Sequence, residues 1–372
     1  MRFPTFIAVF VIVLILPSIA QAHPASGIVV DSRGNVYFSD LETVWKVDES
    51  GQLTVFRPGV RGRHVHELAI DTNDNIDGAD ISYVSEKWIS SVWNMNRLAK
   101  FIYLVGPTAD PPRGFSIWRD AQGNMYSIDQ NNHTKTQTLL LRRTPSGIVT
   151  TLAGGAYGHA DGTSAEARFG SVGGMTIGPD GNIYMTDGNM LRRVTMDGVV
   201  TTIAQELTTR TSEDNPTLFG GNNGTLAGLA VATDGAVFVA DSGNRRLLKV
   251  ANGKVDVVLR SEPPFFPTGA FATKSGDVYV LEVGLTMPNA SSGPRVRKVS
   301  ADGTLTIVAT VGEDRSQRST QAVAVERAGI AAESALQFVW EGRATKYAVL
   351  AVAPITAGVI FIWRRRRKKR QA

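Results

Sequence analysis

Residues 228–259 read GLAVATDGAVFVADSGNRRLLKVANGKVDVVL, and this stretch decides the fold. Four short runs rich in β-branched and apolar residues alternate with Gly, Asp and Asn turns, and these runs are 229–231, 237–240, 246–250 and 255–259. Asp234-Gly235 and Asn252-Gly253 are dipeptides typical of tight hairpin turns. The stretch therefore predicts four antiparallel strands that follow one another in a single small sheet.

The same register occurs six times along the chain. In each copy, a turn residue is followed six positions later by an acid, and three positions later by an aromatic residue in every copy but the second, which has Asp77 there. The turn residues are Gly34, Asp74, Gly123, Gly181, Gly235 and Gly276, and the residues three positions later are Tyr37, Asp77, Tyr126, Tyr184, Phe238 and Tyr279. Successive turns lie 40 to 58 residues apart, which is the period of propeller blades. We therefore predict an all-β, six-bladed β-propeller over residues 23–311.

These motifs resemble a known repeat. Residues 228–231 followed by 237–250 are similar to an NHL repeat, as is MTIGPDGNIYMTDGNMLRRV at 175–194, and residues 151–169 are similar to a linker between such repeats. The resemblance covers residues 24–311 and is weakest in the second blade. It implies a six-bladed β-propeller of NHL type. The functions of that family range from protein and RNA binding to lyase and hydrolase chemistry, so the resemblance does not settle the activity.

Residues 1–22 have the pattern of a cleaved signal peptide. Arg2 precedes the apolar stretch 6–16, and Ala20-Gln21-Ala22 is a small-x-small cleavage site,. We expect the mature chain to begin at His23 and to be exported.

Residues 347–363 are predicted to form a single transmembrane helix. This run has no charge over 17 residues, and a basic tail at 364–372 follows it. Positive charge beside a span favours the cytoplasmic side. The predicted topology is a single-pass protein of the cell membrane, with the propeller outside and the tail in the cytoplasm. Residues 312–346 are predicted to be a linker or a juxtamembrane helix, with a strand near 322–325 that closes the ring as the alternative.

The net charge of the exported part differs from that of the whole chain. The formal net charge is +5, but residues 364–370 hold seven basic residues and Arg2 is another. The remaining 31 basic residues face 34 acidic ones, a net charge of −3, which argues against nucleic acid as a partner. The chain has no cysteine, so stability rests on a packed core rather than on disulfides. We expect a monomeric ectodomain.

The six acids of the register are the first candidates for a site. They are Asp40, Asp80, Asp129, Asp187, Asp241 and Glu282. Equivalent strand ends meet on one face of a propeller, so these acids are candidate ligand-binding residues around the channel, and oxygen ligands of this kind suit Ca²⁺. The alternative is that each acid accepts hydrogen bonds from its own turn.

Blade two contains a second candidate site. His64 and His66 fall on one side of an extended strand and Glu67 on the other, and two imidazoles in this arrangement are able to bind Zn²⁺. The alternative is that the three residues are polar residues of the blade rim. Asp74 and Asp77 also break the register in this blade, and Glu282 is the longest of the six acids. These deviations point to the sector of blades one, two and six as the place of a site.

Basic residues recur in the third strands of the blades. They are Lys46, Arg142, Arg143, Arg192, Arg193, Arg245, Arg246, Arg295, Arg297 and Lys298. We expect them to lie towards the blade exterior in solvated ion pairs.

Two functions remain open at this stage. The favoured hypothesis is a membrane-tethered extracytoplasmic module that binds a protein, peptide or glycan, because the scaffold is complete and no nucleophile elbow, phosphate loop or zinc-protease motif is present,. The alternative is a metal-dependent extracytoplasmic hydrolase or lyase, similar to a lactonase, with its site on the loop face and a divalent cation such as Ca²⁺ or Zn²⁺ as cofactor.

Overall fold

The chain folds into six β-sheets that follow one another in sequence. The computed structural model describes residues 26–131, 134–211, 214, 225–284 and 293–312. Nearly every regular element of this part is a strand, and one short 3-10 helix covers Ser164–Glu166. The all-β, six-bladed propeller is thus confirmed. The predicted signal peptide, the span, the tail and the alternative closing strand lie outside the described residues, and within the described part no helix has the length and apolarity that crossing a bilayer requires.

Each blade uses consecutive segments of the chain. Blades one to three contain β1 (Ile28–Val30), β2 (Val36–Ser39), β3 (Val44–Val47), β4 (Leu53–Arg57), β5 (Arg63–Ile70), β6 (Ile76–Val84), β7 (Lys87–Met95), β8 (Phe101–Thr108), β9 (Met125–Gln130), β10 (Gln137–Arg143) and β11 (Val149–Ala156). Blades four to six contain β12 (Gly162–Thr163), β13 (Val172–Ile177), β14 (Ile183–Asp187), β15 (Met190–Val194), β16 (Val199–Ala204), β17 (Leu226–Val231), β18 (Val237–Asp241), β19 (Arg246–Ala251), β20 (Lys254–Arg260), β21 (Phe265–Ala272), β22 (Val278–Gly284), β23 (Pro294–Val299) and β24 (Leu305–Thr310).

Neighbouring strands are antiparallel and pair in sequence order, with β12 added outside β16 in blade four. The connections therefore alternate between the two ends of the ring. We call the end that carries the connections from second to third strands and from blade to blade the loop face, and the opposite end the turn face.

Blade three departs from the four-stranded frame that residues 228–259 predict for each copy of the register. Its sheet has three strands, and at the inner position a single bridge joins Arg119 to Met125. The Arg119 side chain forms an ion pair with Asp77 of blade two. This segment is therefore bound to the neighbouring blade through a side chain and does not form a ladder with its own sheet. The expectation of a full first strand here is therefore wrong.

The aromatic residue of the register packs against the next blade. Tyr126 shares a core cluster with Ile183 of blade four, and Tyr279 of the last blade packs against the cluster that contains Phe38 of the first. The tyrosine hydroxyl also supports its own turn, since Tyr126 donates to Asp120 at 2.8 Å. This type of contact thus recurs between neighbouring blades. Among the described residues, the first and last blades meet by packing, without an exchanged strand.

Glycine allows the inner strands of adjacent blades to approach closely. In four blades it stands seven positions before the turn residue, at Gly27, Gly174, Gly228 and Gly269. A Cβ atom on Gly269 would lie 2.1 Å from the backbone oxygen of Ser26, and one on Gly174 would lie 2.6 Å from that of Ala227. No side chain fits at these separations, so the tight centre of the ring depends on these glycines.

We expect Gly269→Ala to lower the free energy of unfolding by about 1–3 kcal/mol. The added methyl group collides with backbone where the last blade meets the first, and backbone cannot turn aside as a side chain does. Urea unfolding of the full chain, followed by circular dichroism, measures the change. Gly155→Ala is the matched control, because its Cβ would lie 3.3 Å from the nearest atom, and we expect it to stay within about 1 kcal/mol of the parent. Equal stability of the two variants would contradict this account of the ring.

Candidate functional site

Four of the six register acids are buried in ion pairs with arginine. Asp80, Asp187, Asp241 and Glu282 are at most 2% exposed. Their respective partners are Arg57 at 2.6 Å, Arg192 at 2.9 Å, Arg246 at 2.9 Å and Arg295 at 2.6 Å. A buried carboxylate is costly unless it is paired and hydrogen-bonded. These acids therefore already have charged partners within the blades.

The other two register acids have different surroundings. Asp40 accepts hydrogen bonds from the backbone of its own turn and from the indole N–H of Trp45 at 2.8 Å. Asp129 is exposed and pairs with Arg113 at 3.2 Å. None of the six acids lines the central cavity, and the described residues contain no group of three His, Asp or Glu side chains that is suited to hold a metal ion. Ligand binding by the register acids stays a prediction.

Several third-strand arginines lie inside the blades and not in solvated pairs. Arg192 is fully buried and donates to the carboxylates of Asp187 and Asp161 and to the backbone oxygen of Ala160 at 2.8 Å. Arg246 is also buried and binds Asp241. The expectation of exterior, solvated pairs is wrong at these positions, because each guanidinium compensates a buried register acid.

A β-bulge falls on His66 and Glu67. His64 and His66 have neighbouring rings, with 5.8 Å between centroids. The pairing of β5 with β6 shifts between Val65 and Leu68, and such a bulge re-aims the side chains within it. Glu67 lines the central cavity, whereas the histidines do not. The predicted metal set is thus divided between two places, and metal binding at either stays a prediction.

The central cavity lies along the axis of the ring. Its volume is about 660 Å³, a size common among small-molecule sites. Every blade contributes its innermost segment to the wall. Apolar side chains form much of the wall on the side of blades one, four, five and six, and they include Ile28, Met175, Ile177, Leu229, Val231 and Phe271. The charged side chains of the wall all belong to blades two and three.

Glu67 stands where four other blades have glycine. It lies seven positions before Asp74, as Gly269 lies seven before Gly276, and the equivalent residue of blade three is Ser116. Burial raises the pKa of the Glu67 carboxyl to about 7, and a hydrogen bond with the Trp118 side chain partly opposes this shift. Both the protonated and the ionised form of this carboxyl are therefore populated near neutral pH.

Asp77 and Arg119 form an ion pair on the same part of the wall. Asp77 is 3% exposed and also accepts a hydrogen bond from the side-chain amide of Asn94 at 2.8 Å. Burial lowers the pKa of Arg119, and the nearby charge of Asp71 opposes this. Asp77 occupies the tyrosine position of the register, so a charged bridge between blades two and three replaces the usual aromatic contact.

The wall of the cavity carries more negative than positive groups. Asp71 and Asp120 line it together with Glu67 and Asp77, although both accept hydrogen bonds from their own turns. Arg119 is the basic side chain among the described lining residues. Excess carboxylate next to an indole favours a ligand with a cationic group.

Sequence reasoning found part of this site. It singled out Glu67 and Asp77 but missed Trp118 and Arg119, and it pointed to blades one, two and six, whereas the charged wall belongs to blades two and three. One usable signal was present: counting back seven positions from each turn shows that Glu67 stands in a glycine position. Trp118 and Arg119 gave no such signal, because their segment looked like an ordinary first strand.

Similar folds occur among solved structures. Virginiamycin B lyase from Staphylococcus aureus matches 77% of this chain and 85% of its own, with 12% identity and a TM-score of 0.45. A putative gluconolactonase matches 68% and 84%, with 14% identity and a TM-score of 0.44. The PQQ-bound aldose sugar dehydrogenase from Streptomyces coelicolor matches 73% and 92%, with 13% identity and a TM-score of 0.43.

No family profile matches the chain, and no curated protein sequence does either. The NHL assignment is therefore not confirmed, although the six-bladed propeller is. At such low identities and TM-scores, the likeness to solved structures carries no conclusion about activity.

We expect Glu67→Gln to remove a pH-dependent loss of stability. A carboxyl whose pKa is raised by folding binds its proton more tightly in the folded state. The stabilisation of the folded state by this bound proton is complete below the ordinary pKa of 4.5. It is lost as the pH rises through the folded-state pKa of about 7,. The variant should gain stability relative to the parent over this range, by about 1.4 kcal/mol for each unit of pKa difference.

Melting temperatures of the parent and of Glu67→Gln, taken from about pH 4.5 to about pH 8, test this linkage. Glu86→Gln is the matched control, because Glu86 is exposed. The difference in stability between this variant and the parent should not change over this range. If the difference between Glu67→Gln and the parent were also independent of pH, the raised pKa would be wrong.

Proposed function

We propose that this chain is a membrane-tethered, extracytoplasmic binding module whose central cavity takes a cationic group of a protein, peptide or glycan ligand. The observation that carries the proposal is Glu67, an acid in a glycine position, which lines a cavity of about 660 Å³ together with Trp118. A peptide or protein presents such a group as a lysine or arginine side chain, and a glycan presents it as an amino sugar.

The Glu67 carboxyl supplies the charge for this recognition. Burial without a cationic partner disfavours its ionised form, and this is why its pKa is raised,. A ligand cation would provide the missing partner and would stabilise the carboxylate. Trp118 lines the same cavity, and its aromatic ring adds a surface that attracts cations.

The apolar wall supplies the remaining contacts. Met175, Leu229 and Phe271 line the same cavity, and the methylene stem of a lysine or arginine side chain packs favourably on such surfaces while its head group stays polar. The combination of one polar side and one apolar side therefore suits an amphipathic side chain better than a small inorganic cation.

The tether is supported by the sequence. Residues 347–363 are uncharged and are followed by seven basic residues at 364–370, and this order predicts a span with its basic flank in the cytoplasm. The propeller then lies outside the membrane, where a binding module meets extracytoplasmic ligands.

An extracytoplasmic hydrolase or lyase is a second candidate function. The observation that favours it is again Glu67, since a carboxyl with a pKa of about 7 in a cavity suits a general acid or base,. A metal-dependent, lactonase-like reaction would further need a set of metal ligands, and the described residues offer no group of three. Lactone, ester and lyase substrates, each with and without chelator, separate this function from binding alone, because turnover that disappears in Glu67→Gln would show catalysis.

Calorimetric titration of the full chain with paired probes tests the binding function. The probes are a lysine-containing peptide and a glucosamine oligomer, each compared with its N-acetylated form. We expect the free amines to bind at least about tenfold more tightly, a difference of roughly 1.4 kcal/mol, because acetylation removes the charge. Glu67→Gln should remove this preference, and affinity should fall as the pH drops below about 7, where the carboxyl is protonated.

The control variant is again Glu86→Gln, which should bind like the parent because Glu86 lies outside the cavity. Equal binding of the free and acetylated probes, or an unchanged preference in Glu67→Gln, would show that the cavity does not select cations.

A further inference from the structure

The hairpin formed by β6 and β7 extends further beyond its register acid than the corresponding hairpins of blades four and five do. In blades four and five the second strand ends at the register acid, Asp187 or Asp241. In blade two the register acid is Asp80, and β6 continues for four more residues to Val84. At about 3.4 Å per residue, this extension projects roughly 13 Å beyond the register acid.

The projecting part of the hairpin is regular. Pairing with β7 continues without a break to Tyr83 opposite Trp88 and Val84 opposite Lys87. Ser85 and Glu86 connect the strands with φ angles of 48° and 65°, as in the tight turns whose twist matches that of paired strands. The tip is thus a preformed structure and not a loose loop.

The tip exposes apolar and aromatic side chains. Tyr83 is 59% exposed and Trp88 is 67% exposed, and their rings lie 5.0 Å apart. Ile81 and Val84 are exposed as well. The contrast with Trp93 of the same strand is informative, because Trp93 is fully buried and donates its indole N–H to Asp80 at 2.8 Å. Trp93 serves the core of the blade, whereas Tyr83 and Trp88 have no packing role of that kind.

The tip lies at the loop face, where the chain also leaves the propeller. Because neighbouring strands are antiparallel, the connection from β6 to β7, the start of β1 and the end of β24 all fall at this face. The chain continues from 313 towards the predicted span at 347–363. The 34 intervening residues would span on the order of 100 Å if fully extended, so the predicted tether is long enough for the loop face to reach the bilayer.

We propose that the β6–β7 tip inserts Tyr83 and Trp88 into the interfacial region of the bilayer that holds the tether. This inference rests on the membrane tether of the proposed function. Tyrosine and tryptophan favour the membrane interface, where an apolar ring body and a polar edge are both accommodated. Insertion at one point of the rim orients the propeller and removes the exposed aromatic pair from water.

The absence of cysteine makes the test direct, because a single introduced cysteine is labelled without background. The full chain with Glu86→Cys is labelled with an environment-sensitive NBD fluorophore and reconstituted into vesicles that contain phosphatidylserine. We expect blue-shifted emission and quenching by nitroxide-labelled lipids. Lys274→Cys, exposed on the turn face between β21 and β22, is the matched control and should show neither effect. Replacement of Tyr83 and Trp88 by serine in the Glu86→Cys background should abolish the shift.

Carbonate extraction of the same vesicles reads the tether separately. If the chain resists extraction but the Glu86→Cys label behaves like the Lys274→Cys label, the tether stands and the inserted tip is refuted. If carbonate releases the chain, the tether itself is refuted, and the tip falls with it. A shift that disappears in nanodiscs that hold one copy would show a contact between copies of the chain and would also overturn the proposal. A shift with lipid quenching that persists in such nanodiscs supports it.

Discussion

The close approach of the inner strands is the constraint on which the ring depends. At Gly174 and Gly269, the backbone of the next blade occupies the space that a side chain would need. A ring that is tight at these points has a narrow axis, and its wall consists of short inner segments from all six blades. Space for charged side chains appears between blades two and three, where glycine is replaced by Glu67 and the inner segment of blade three makes only one ladder bridge. The site therefore lies where the close, glycine-mediated contact between inner strands is missing.

Away from the axis, buried ion pairs connect the strands, whereas close backbone packing connects them near the axis. Asp187 and Arg192 are both fully buried and pair at 2.9 Å. Removing one partner of such a pair leaves an uncompensated charge, which is far costlier than the net stabilisation by the pair. This gives the repeated acid a structural reason to occur in several blades. It also separates the roles of the acids: the four buried register acids form ion pairs within the scaffold, and the acids at the axis line the cavity.

The fold was predictable because its signals are local. Turn glycines, the aromatic residue three positions later and the spacing of the copies are all read directly from the sequence, and each has one physical cause that repeats. The ion pairs between blades, one of which lies in the cavity wall, were not predictable in the same way. Arg57 reaches from blade one to Asp80 in blade two, and Arg119 reaches from blade three to Asp77. The arrangement of the blades in the ring brings such partners together, and no sequence pattern within one blade specifies them.

The position of Glu67 gives the cavity two chemical states. With a pKa of about 7, the carboxyl is a hydrogen-bond donor below neutrality and an anion above it. A cation and a proton compete for the same oxygen atoms, so binding of a cationic group near neutral pH must release part of a proton. A carbonyl group, which only accepts hydrogen bonds, faces the opposite balance, because it gains a donor when the carboxyl is protonated. The burial that raises the pKa of Glu67 would therefore also set the proposed charge preference of the cavity.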